Sequence, residues 1–348
     1  RLRTSAPCGI CGFGAYLPIF RISSSEVARA WGRSVAPASA EERSVASLDE
    51  DVVTMSVEAS RYALQRAGID ARELGAVLVG TCTEPYQSLS CGAIVGNALG
   101  VPRKILAANL GFMGKSGTEA LQSLLGLVGS GMIGYGLGVA ADVCLTRPGD
   151  GLEQSGGAGS AALVVGRVSS ETAAHFEGSF SLVSELPDSW RRSGESSWQQ
   201  TGRFSSDYSL RMVVDSCRGL MEELGLKPED FSYLVLQQPS SRFAVDVARS
   251  LGFSSEKVKA GSIFSSVGNL LSASSLVGLC AVLDVAQAGE RILLASYGSG
   301  AGSDAFSIVV DRGTVEKRSI APSVASLIGS KRMVDYPFLV RGYRDICG

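Results

Sequence analysis

The chain contains two copies of one pattern, and this internal repeat constrains the fold more than any other feature. Residues 51–79 align without gaps on residues 208–236. Each copy has the spacing of an amphipathic helix that ends at a glycine, followed by a turn with an acidic residue and by an apolar strand. A second pair of similar segments, 156–166 and 299–310, lies near the end of each half. The repeat predicts one pseudo-symmetric molecule with two related α/β units.

Short apolar runs alternate with helical spacing in both halves, which predicts a mostly parallel sheet covered on both faces. The predicted strands are ICGFGAYL, AVLVGTC, KILAANL, GLGVAAD and SAALVVG in the first half, and YLVLQQP, KVKAGSI, RILLASY and AFSIVV in the second. We expect an N-terminal half over 1–170, a linking strand and loop over 171–205, and a C-terminal half over 206–312. The tail 313–348 is expected to hold a short helix, SVASLIGSK, and an extended end. The loop 143–156 is expected in the first half alone.

Composition excludes several classes of function. The 348 residues are 45% hydrophobic with a net charge of −2, which is typical of a soluble globular protein large enough for two cores. Near-neutral charge favours neither nucleic acid nor a membrane as a partner, and no apolar run is long enough to span a bilayer. Scattered cysteines, several within apolar segments, favour a reducing compartment, and we expect a cytoplasmic protein without a cofactor. These cysteines are Cys8, Cys11, Cys82, Cys91, Cys144, Cys217, Cys280 and Cys347.

The turn NLGFMGKSGTEALQ, residues 109–122, is the most suggestive segment for chemistry. Gly114, Lys115 and Ser116 resemble the end of a phosphate-binding loop, but Asn109 occupies the position where that loop requires its first glycine. Ser116 lies at a predicted helix start, where the helix dipole stabilises a nucleophile, yet no base is evident near it. We therefore expect a glycine turn that enters a helix, with Ser116 as a cap or first-turn residue.

The remaining candidates are isolated residues. Cys8 and Cys11 form a C-x-x-C pair without a second pair, so a zinc site is not expected. His175 is the only histidine and lies on an alternating run, where a satisfied or exposed side chain is expected. Cys82 ends a predicted strand at the edge where α/β sheets bind ligands, so it is either a small buried residue or part of a site.

The two halves, the glycine-rich turn and the segment GGAGSAALVVG resemble the thiolase superfamily over nearly the whole chain, above all archaeal-type hydroxymethylglutaryl-CoA synthases and ketoacyl synthase III enzymes. The resemblance implies two βαβαβ halves that form a five-layered αβαβα core. Where the family has its nucleophilic Cys, in a stretch like F-A-C-K-A-G-T, this chain has Gly114. The family's His falls on Gln237 and its acidic residue on Cys82, whereas its Asn is retained as Asn269.

A finer resemblance implies a specific role. The segments GTCTEPYQS, RPGDGLEQSGGAGSAAL, LQQ and SYGSGAGSDA are similar to the non-catalytic, ketoacyl-synthase-III-like subunit of bacterial monoacetylphloroglucinol acetyltransferases. The resemblance implies a chain without catalytic residues in a complex that transfers acetyl groups between acylphloroglucinol-type phenolics. Its partners would be a thiolase-like subunit that carries the active Cys and a small zinc-ribbon/OB-fold protein. We expect a homo- or heterodimer through the strand 104–109, with Phe112 and Met113 at the interface.

Two alternatives remain open. The first is an active acyltransferase of the hydroxymethylglutaryl-CoA synthase or ketoacyl synthase type that uses a displaced cysteine, Cys82 or Cys144. The second is a module that binds an acyl group or CoA without turnover. The sequence does not identify the acyl donor, the acceptor or the stoichiometry of a complex.

Overall fold

The computed structural model describes residues 2, 4–192, 195, 198–200 and 204–346. Its strands are β1 (Cys8–Tyr16), β2 (Phe20–Ser23), β3 (Glu42–Val45), β4 (Leu74–Gly80), β5 (Leu106–Leu110), β6 (Tyr135–Val143), β7 (Ala158–Arg167), β8 (Ala174–Leu182), β9 (Ser189–Trp190), β10 (Gln199–Gln200), β11 (Tyr233–Leu236), β12 (Arg291–Gly298), β13 (Gly302–Val310) and β14 (Arg332–Met333). Its α-helices are α1 (Ser24–Ala30), α2 (Val52–Ala67), α3 (Cys91–Leu99), α4 (Ser116–Gly129), α5 (Phe204–Leu224), α6 (Phe243–Leu251), α7 (Glu256–Lys259), α8 (Phe264–Val267), α9 (Ser274–Leu283), α10 (Gly313–Lys317), α11 (Val324–Gly329) and α12 (Tyr336–Ile346). Within these ranges no helix is long and apolar enough to cross a membrane.

The predicted repeat is confirmed in three dimensions. Helix α2 ends at Gly68 with φ of 70°, and α5 is followed by Gly225 with φ of 68°. Both glycines adopt the left-handed conformation that closes a helix, which a residue with a side chain adopts only at a cost. A single turn of 3₁₀ helix follows each glycine, and then β4 or β11 begins. The sequence repeat therefore marks two copies of one helix–turn–strand unit.

The large sheet has nine strands in the order β11-β12-β13-β8-β1-β7-β6-β4-β5. The first half contributes β1, β7, β6, β4 and β5, and the two parts join where Gly9 and Ile10 of β1 pair with His175 and Ala174 of β8. Only the pairs β4–β5, β4–β6 and β11–β12 are parallel. The prediction of a mostly parallel sheet is therefore wrong, because β6 and β7, and likewise β12 and β13, are connected without a crossover helix and pair antiparallel.

Two helices form the centre of the molecule. Helix α4 packs against β4, β6 and β7, whereas α9 contacts β1 and β7 of the first half and β11 and β12 of the second. Helices α2 and α3 cover the outer face of the first half, and α5 packs on β8, β12 and β13. The central apolar cluster includes Leu121 and Leu124 from α4 and Leu276 and Leu279 from α9, all of them buried. This is the expected five-layered αβαβα arrangement.

Two predicted elements differ from the structure. The segment KVKAGSI is not a strand but the short helix α7 and a turn, because Val258 alone of its first four residues is buried and Lys257 donates to the carbonyl of Pro228. The end of the chain is not extended but forms α12. There Leu339 is buried, and Phe338 packs at 4.7 Å between ring centroids on Phe20 of the small sheet β14-β2-β3. Cys347 lies outside the described residues.

A buried arginine connects the halves. Arg66 on α2 is 1% exposed and forms an ion pair of 3.2 Å with Asp284, which follows α9. Its guanidinium also donates to the carbonyl oxygens of Phe13 at 3.1 Å and Ala321 at 2.9 Å. Because each of its contacts lies far away in sequence, Arg66 fixes α2, β1 and the C-terminal segment relative to one another.

Candidate functional site

Two adjoining cavities lie where β4, β6 and β12 end. The outer cleft has a volume of about 800 Å³ and the inner cavity of about 120 Å³. Met113, Ser189, Trp198 and Ser299 line both of them. Because α/β proteins commonly bind ligands at the carboxyl ends of their strands, the two cavities together form the candidate site.

The glycine-rich turn between β5 and α4 forms one wall of the inner cavity, and Gly114 is its closest point to the second half. Gly114 has φ of 92°, which favours glycine. A Cβ atom at this position would lie 2.2 Å from the carbonyl oxygen of Tyr297 and 2.9 Å from Nε2 of Gln237. Residue 114 therefore supplies no nucleophile, and the surrounding backbone leaves no space for one.

The two residues after Gly114 have structural partners. Lys115 is 4% exposed, and its Nζ lies 2.9 Å from Asp304 and 2.7 Å from Glu119. Burial opposes its charge, but the two carboxylates outweigh burial, so the pKa of Lys115 is raised. The hydroxyl of Ser116 donates to that of Ser272 at 2.8 Å. Through Asp304 and Ser272, the turn forms a buried connection between the halves. The sequence lacks the first glycine of a phosphate-binding loop, and a glycine turn that enters a helix was predicted instead.

Two side-chain amides face the inner cavity with defined orientation. Oε1 of Gln237 accepts the backbone N–H of Tyr297 at 2.9 Å, and Oδ1 of Asn269 accepts the backbone N–H of Leu271 at 2.9 Å. Because each oxygen is fixed by a backbone donor, each NH₂ group is directed elsewhere. Neither NH₂ group makes a hydrogen bond within the described part of the chain, and both residues line the cavity. Gln237 and Asn269 therefore offer two donors to a ligand.

A buried carboxylate organises the end of β4. Asp142, at the end of β6, is fully buried and accepts from the Thr81 hydroxyl at 2.9 Å, the Cys82 N–H at 2.8 Å, the Thr83 hydroxyl at 2.7 Å and the Ser272 N–H at 2.8 Å. The Cys82 thiol also lies 3.4 Å from Asp142. Burial and this carboxylate raise the pKa of Cys82 well above its ordinary value. Cys82 lines the outer cleft only.

Cys144 is the thiol of the inner cavity. It follows β6 and is 3% exposed, and it lines the cavity together with Gly114, Gln237 and Asn269. Burial raises its pKa to about 11, and the positive charge of Arg43 acts in the opposite direction. Cys144 and Cys82 belong to one small apolar cluster, against which Met113 and Trp198 pack. Of the two cysteines predicted as displaced nucleophiles, Cys144 is the one that lines the inner cavity together with Gly114.

The outer cleft carries mixed charge. The guanidinium of Arg191 lies over the ring of Trp198 at 5.4 Å, and that of Arg192 lies over Trp190 at 5.5 Å. The acidic residues Glu50, Asp51, Glu84 and Glu195 line the same cleft. A cleft with stacked arginines and tryptophans suits a ligand that combines aromatic and anionic groups.

The remaining sequence candidates lie outside the inner cavity or have other contacts. His175 lies on β8 with Nδ1 2.9 Å from Asp311, and it lines neither cavity. Cys8 and Cys11 are buried in β1, and no cluster of metal-binding residues occurs in the described ranges. Phe112 and Met113, predicted at an interface, are half-buried and line the outer cleft.

Sequence reasoning did not identify three residues of the site: Asp142, Asp188 and Tyr297. Asp142 is the one charged residue in the run GLGVAAD, and this is a usable signal because a carboxylate in a buried strand requires partners. Tyr297 ends the strand RILLASY at the same sheet edge. Asp188 lies in the polar segment between the halves, where no local pattern distinguishes it.

Comparison with known proteins gives close relatives along the chain. A hydroxymethylglutaryl-CoA synthase of Pyrococcus furiosus is 44% identical over 337 residues, which is 97% of this chain and 96% of that protein. The hydroxymethylglutaryl-CoA synthase of Methanothermobacter thermautotrophicus is 45% identical over 333 residues, 94% of this chain and 96% of that protein. The family model described as 3-oxoacyl-[acyl-carrier-protein] synthase III C terminal matches residues 221–310.

Solved structures share the fold. The structure titled MvaS in complex with 3-hydroxy-3-methylglutaryl coenzyme A superposes with a TM-score of 0.87 at 21% identity, covering 98% of this chain and 92% of that one. The 3-oxoacyl-(acyl carrier protein) synthase III, FabH, of Pseudomonas aeruginosa gives 0.80 at 21% identity, covering 88% of this chain and 99% of that one. The thiolase-like fold predicted from the sequence is confirmed.

The predicted role as a non-catalytic subunit of a phloroglucinol-type C-acyltransferase complex is wrong. Relatives that match almost the whole chain at 44–45% identity are synthases, and the finer resemblance to the phloroglucinol acetyltransferase subunit receives no support from them. That resemblance rested on a few short segments around the site, whereas the identity to the synthases extends along the chain. The catalytic partner and the zinc-ribbon/OB-fold partner were implied by the same resemblance and remain predictions.

Proposed function

Because the chain belongs to the hydroxymethylglutaryl-CoA synthase family, we propose that it is an acyltransferase that acts on short acyl-CoA thioesters. The observation that carries the proposal is the 44% identity over 97% of the chain. The site gives it physical support, since a narrow inner cavity adjoins a wide cleft at the ends of the strands. In this proposal the inner cavity holds the acyl group and the outer cleft holds the CoA.

We assign the role of nucleophile to Cys144. It is the thiol that lines the inner cavity, whereas Cys82 lines the outer cleft with its thiol directed to the carboxylate of Asp142. A neighbouring carboxylate disfavours the thiolate form, and the thiolate is the nucleophile. Cys144 is therefore the better candidate to replace the group that Gly114 lacks.

The proposed step is a thioester exchange. The Cys144 thiolate attacks the carbonyl carbon of the acyl-CoA, a new carbon–sulfur bond forms, and the bond from the acyl carbon to the CoA sulfur breaks. CoA leaves as a thiolate and takes up the proton that Cys144 has lost. The acyl group, now a thioester of Cys144, then passes to the second substrate.

The amides of Gln237 and Asn269 would stabilise the charge that develops in this step. Negative charge accumulates on the thioester carbonyl oxygen as the thiolate attacks. Both NH₂ groups are held at the cavity wall by backbone contacts to their oxygens, at 2.9 Å each. Donors already in place require no reorganisation during the reaction, which is the basis of oxyanion stabilisation.

The high pKa of Cys144 favours a second candidate function. With a pKa of about 11, roughly one molecule in ten thousand carries the thiolate at pH 7. Acylation is then slow at neutral pH, and the same cavity would serve as a module that binds an acyl-CoA without turnover. The two candidates share the site and differ in whether CoA is released.

Release of free CoA separates these functions. The protein, Cys144→Ser and Cys82→Ser are mixed with acetyl-CoA, with and without acetoacetyl-CoA, at pH 7 and pH 9, and the CoA thiol is measured. We expect release by the unchanged protein and by Cys82→Ser, faster at pH 9, and none by Cys144→Ser. Equal release by Cys144→Ser would contradict its role as nucleophile. If calorimetry detects binding of acetyl-CoA but no free CoA is released, the protein is a binding module and not an acyltransferase.

A further inference from the structure

The loop between β6 and β7, residues 144–157, forms one wall of the inner cavity. Leu152, Ser155 and Gly156 of this loop line the cavity beside Cys144. The end of the loop packs closely on the thiol, since a Cβ atom at Gly156 would lie 2.2 Å from Sγ of Cys144. The place of the thiol in the cavity therefore depends on the conformation of the loop.

The same loop carries a buried carboxylate that lines neither cavity. Glu153 is fully buried and belongs to a single turn of 3₁₀ helix, Gly151–Gln154. Its Oε2 accepts the indole N–H of Trp31 at 3.1 Å and the backbone N–H of Gly149 at 2.9 Å. Its Oε1 accepts the hydroxyl of Tyr336 at 3.0 Å, and the indole N–H also donates to that hydroxyl at 2.8 Å. Trp31, Glu153 and Tyr336 thus form one closed network.

This network connects the loop to parts of the chain that are remote in sequence. Trp31 directly follows α1, whereas Tyr336 begins the C-terminal helix α12, and their rings meet edge to face with centroids 6.1 Å apart. The carbonyl oxygen of Glu153 also accepts from the guanidinium of Arg43 on β3 at 2.7 Å. A buried carboxylate is stable only with its hydrogen-bond partners in place. The donors on Trp31 and Tyr336 therefore determine where Glu153, and with it the loop, can lie.

We propose that Trp31 and Tyr336 are positioning residues for Cys144: through Glu153 they hold the loop between β6 and β7, and with it the thiol, in the place from which it attacks the acyl-CoA. The C-terminal helix thus contributes to the reaction, although none of its described residues lines either cavity. This inference rests on the proposed function and specifies how its nucleophile is held.

Loss of one donor to Glu153 should affect Cys144 in two opposite ways. Acyl transfer requires a fixed geometry, and a displacement of about 1 Å can cost about a hundredfold in rate. A loosened loop also uncovers the thiol, which is 3% exposed, and burial is the cause of its raised pKa. A small reagent in solution then reaches the thiolate more often. Slower acyl transfer together with faster alkylation is therefore the signature of a positioning role.

Rates of CoA release and of alkylation in three variants test the proposal. The unchanged protein is compared with Tyr336→Phe, Trp31→Phe and Tyr62→Phe. Tyr62 is the matched control, because its hydroxyl is hydrogen-bonded to the carboxylate of Glu58 and it lines neither cavity. The kcat and KM for acetyl-CoA are measured from CoA release with acetoacetyl-CoA present at pH 9. Alkylation of each cysteine by iodoacetamide is followed by mass spectrometry, with Cys217, fully buried in the second half, as the internal reference.

In Tyr336→Phe and Trp31→Phe we expect kcat to fall about tenfold or more, because the thiol is displaced. The KM should stay within about twofold, since Leu145 is the one residue of this loop that lines the outer cleft in the described part of the chain. Alkylation of Cys144 should accelerate about fivefold or more through local opening, while alkylation of Cys217 should not change. Tyr62→Phe should match the unchanged protein in every measurement.

Three results would overturn the proposal. If the unchanged protein releases CoA and both variants have the same kcat, the positioning role is refuted and the proposed function remains. If alkylation of Cys144 and of Cys217 accelerates to the same extent, the variants are destabilised as a whole, and the network has no specific effect on the thiol. If the unchanged protein releases no CoA, the proposed function fails together with this inference.

Discussion

Restoring the family's cysteine at position 114 should destabilise the protein instead of activating it. The substitution Gly114→Cys places a Cβ at a residue with φ of 92°. That atom would lie 2.2 Å from the backbone oxygen of Tyr297, far inside van der Waals contact. The obstacle is backbone at the end of β12, which cannot rotate away as a flexible side chain can.

Two contributions set the size of the effect. A residue with a side chain in this conformation costs about 1–3 kcal/mol. Relief of the contact requires a shift of the turn or of β12, and such overpacking costs about 1–3 kcal/mol. Together they lower the free energy of unfolding by roughly 4 kcal/mol, which in a chain of this size corresponds to a decrease in Tm of roughly 5–15 °C.

Thermal unfolding followed by circular dichroism measures the effect, with Gly126→Ala as the matched control. Gly126 lies inside α4, and a Cβ there meets no atom within 4 Å. Replacing this glycine should stabilise the helix by about 0.5–1 kcal/mol. If Gly114→Cys unfolds at the temperature of the unchanged protein, the argument from the turn geometry is refuted.

Three further predictions concern the thiol, the core and the sheet edge. The rate of alkylation of Cys144 by iodoacetamide, measured by mass spectrometry, should rise about tenfold per pH unit from pH 7 to 10, because the pKa of about 11 lies above this range. An alkylation rate that stops rising below pH 9 would contradict this prediction. Arg66→Met should lower the free energy of unfolding in denaturant by about 3–5 kcal/mol, since it removes the ion-pair partner of the buried Asp284 carboxylate. Arg61→Met, at an exposed pair, should change it by less than about 0.5 kcal/mol; similar losses in both variants would refute the role of Arg66 as a connection between the halves. Strand β5 is a sheet edge with Leu106 48% exposed, so we propose that a second chain pairs there; Leu106→Lys should reduce the mass in sedimentation equilibrium to that of one chain, and an unchanged mass would exclude this edge.

Local patterns were sufficient for much of the fold. The helix–glycine–turn–strand unit is recognisable because burial of one helix face sets the spacing of apolar residues, and because the left-handed closing position favours glycine. Gly68 and Gly225 have this conformation, and β4 and β11 follow them as predicted. These features depend on residues that are close together in the chain, so they can be predicted from a single sequence.

Features that depend on distant contacts could not be predicted in this way. Strands β7 and β13 run antiparallel to the strands that precede them, β6 and β12. The spacing of apolar residues predicts a strand but not its direction relative to its neighbours. The C-terminal helix α12 forms against the small sheet, and KVKAGSI forms the short helix α7 beside β11 and a turn instead of a strand. In both cases the packing partner is remote in sequence, and packing overrides local preference.

The candidate site likewise combines features that local patterns predict with features that depend on distant contacts. Gly114, Gln237 and Asn269 were identified from motif positions, and all three line the inner cavity. The environments of Cys144 and Tyr297 arise only when strands from both halves meet. The loss of three motif residues, at Gly114, Gln237 and Cys82, led to the wrong role for the whole chain, because a motif describes the chemistry at single positions and not the groups that folding places beside them.

Intact-protein mass spectrometry after incubation with acetyl-CoA tests the central claim most directly. The protein is held with excess acetyl-CoA at pH 9, where the Cys144 thiolate is more abundant than at pH 7, then denatured in acid and weighed. We predict one added acetyl group per chain, mapped to the peptide that contains Cys144 and absent in Cys144→Ser. A chain that remains unmodified, or an acetyl group on any other residue, would contradict the proposal that this cavity performs acyl transfer through Cys144.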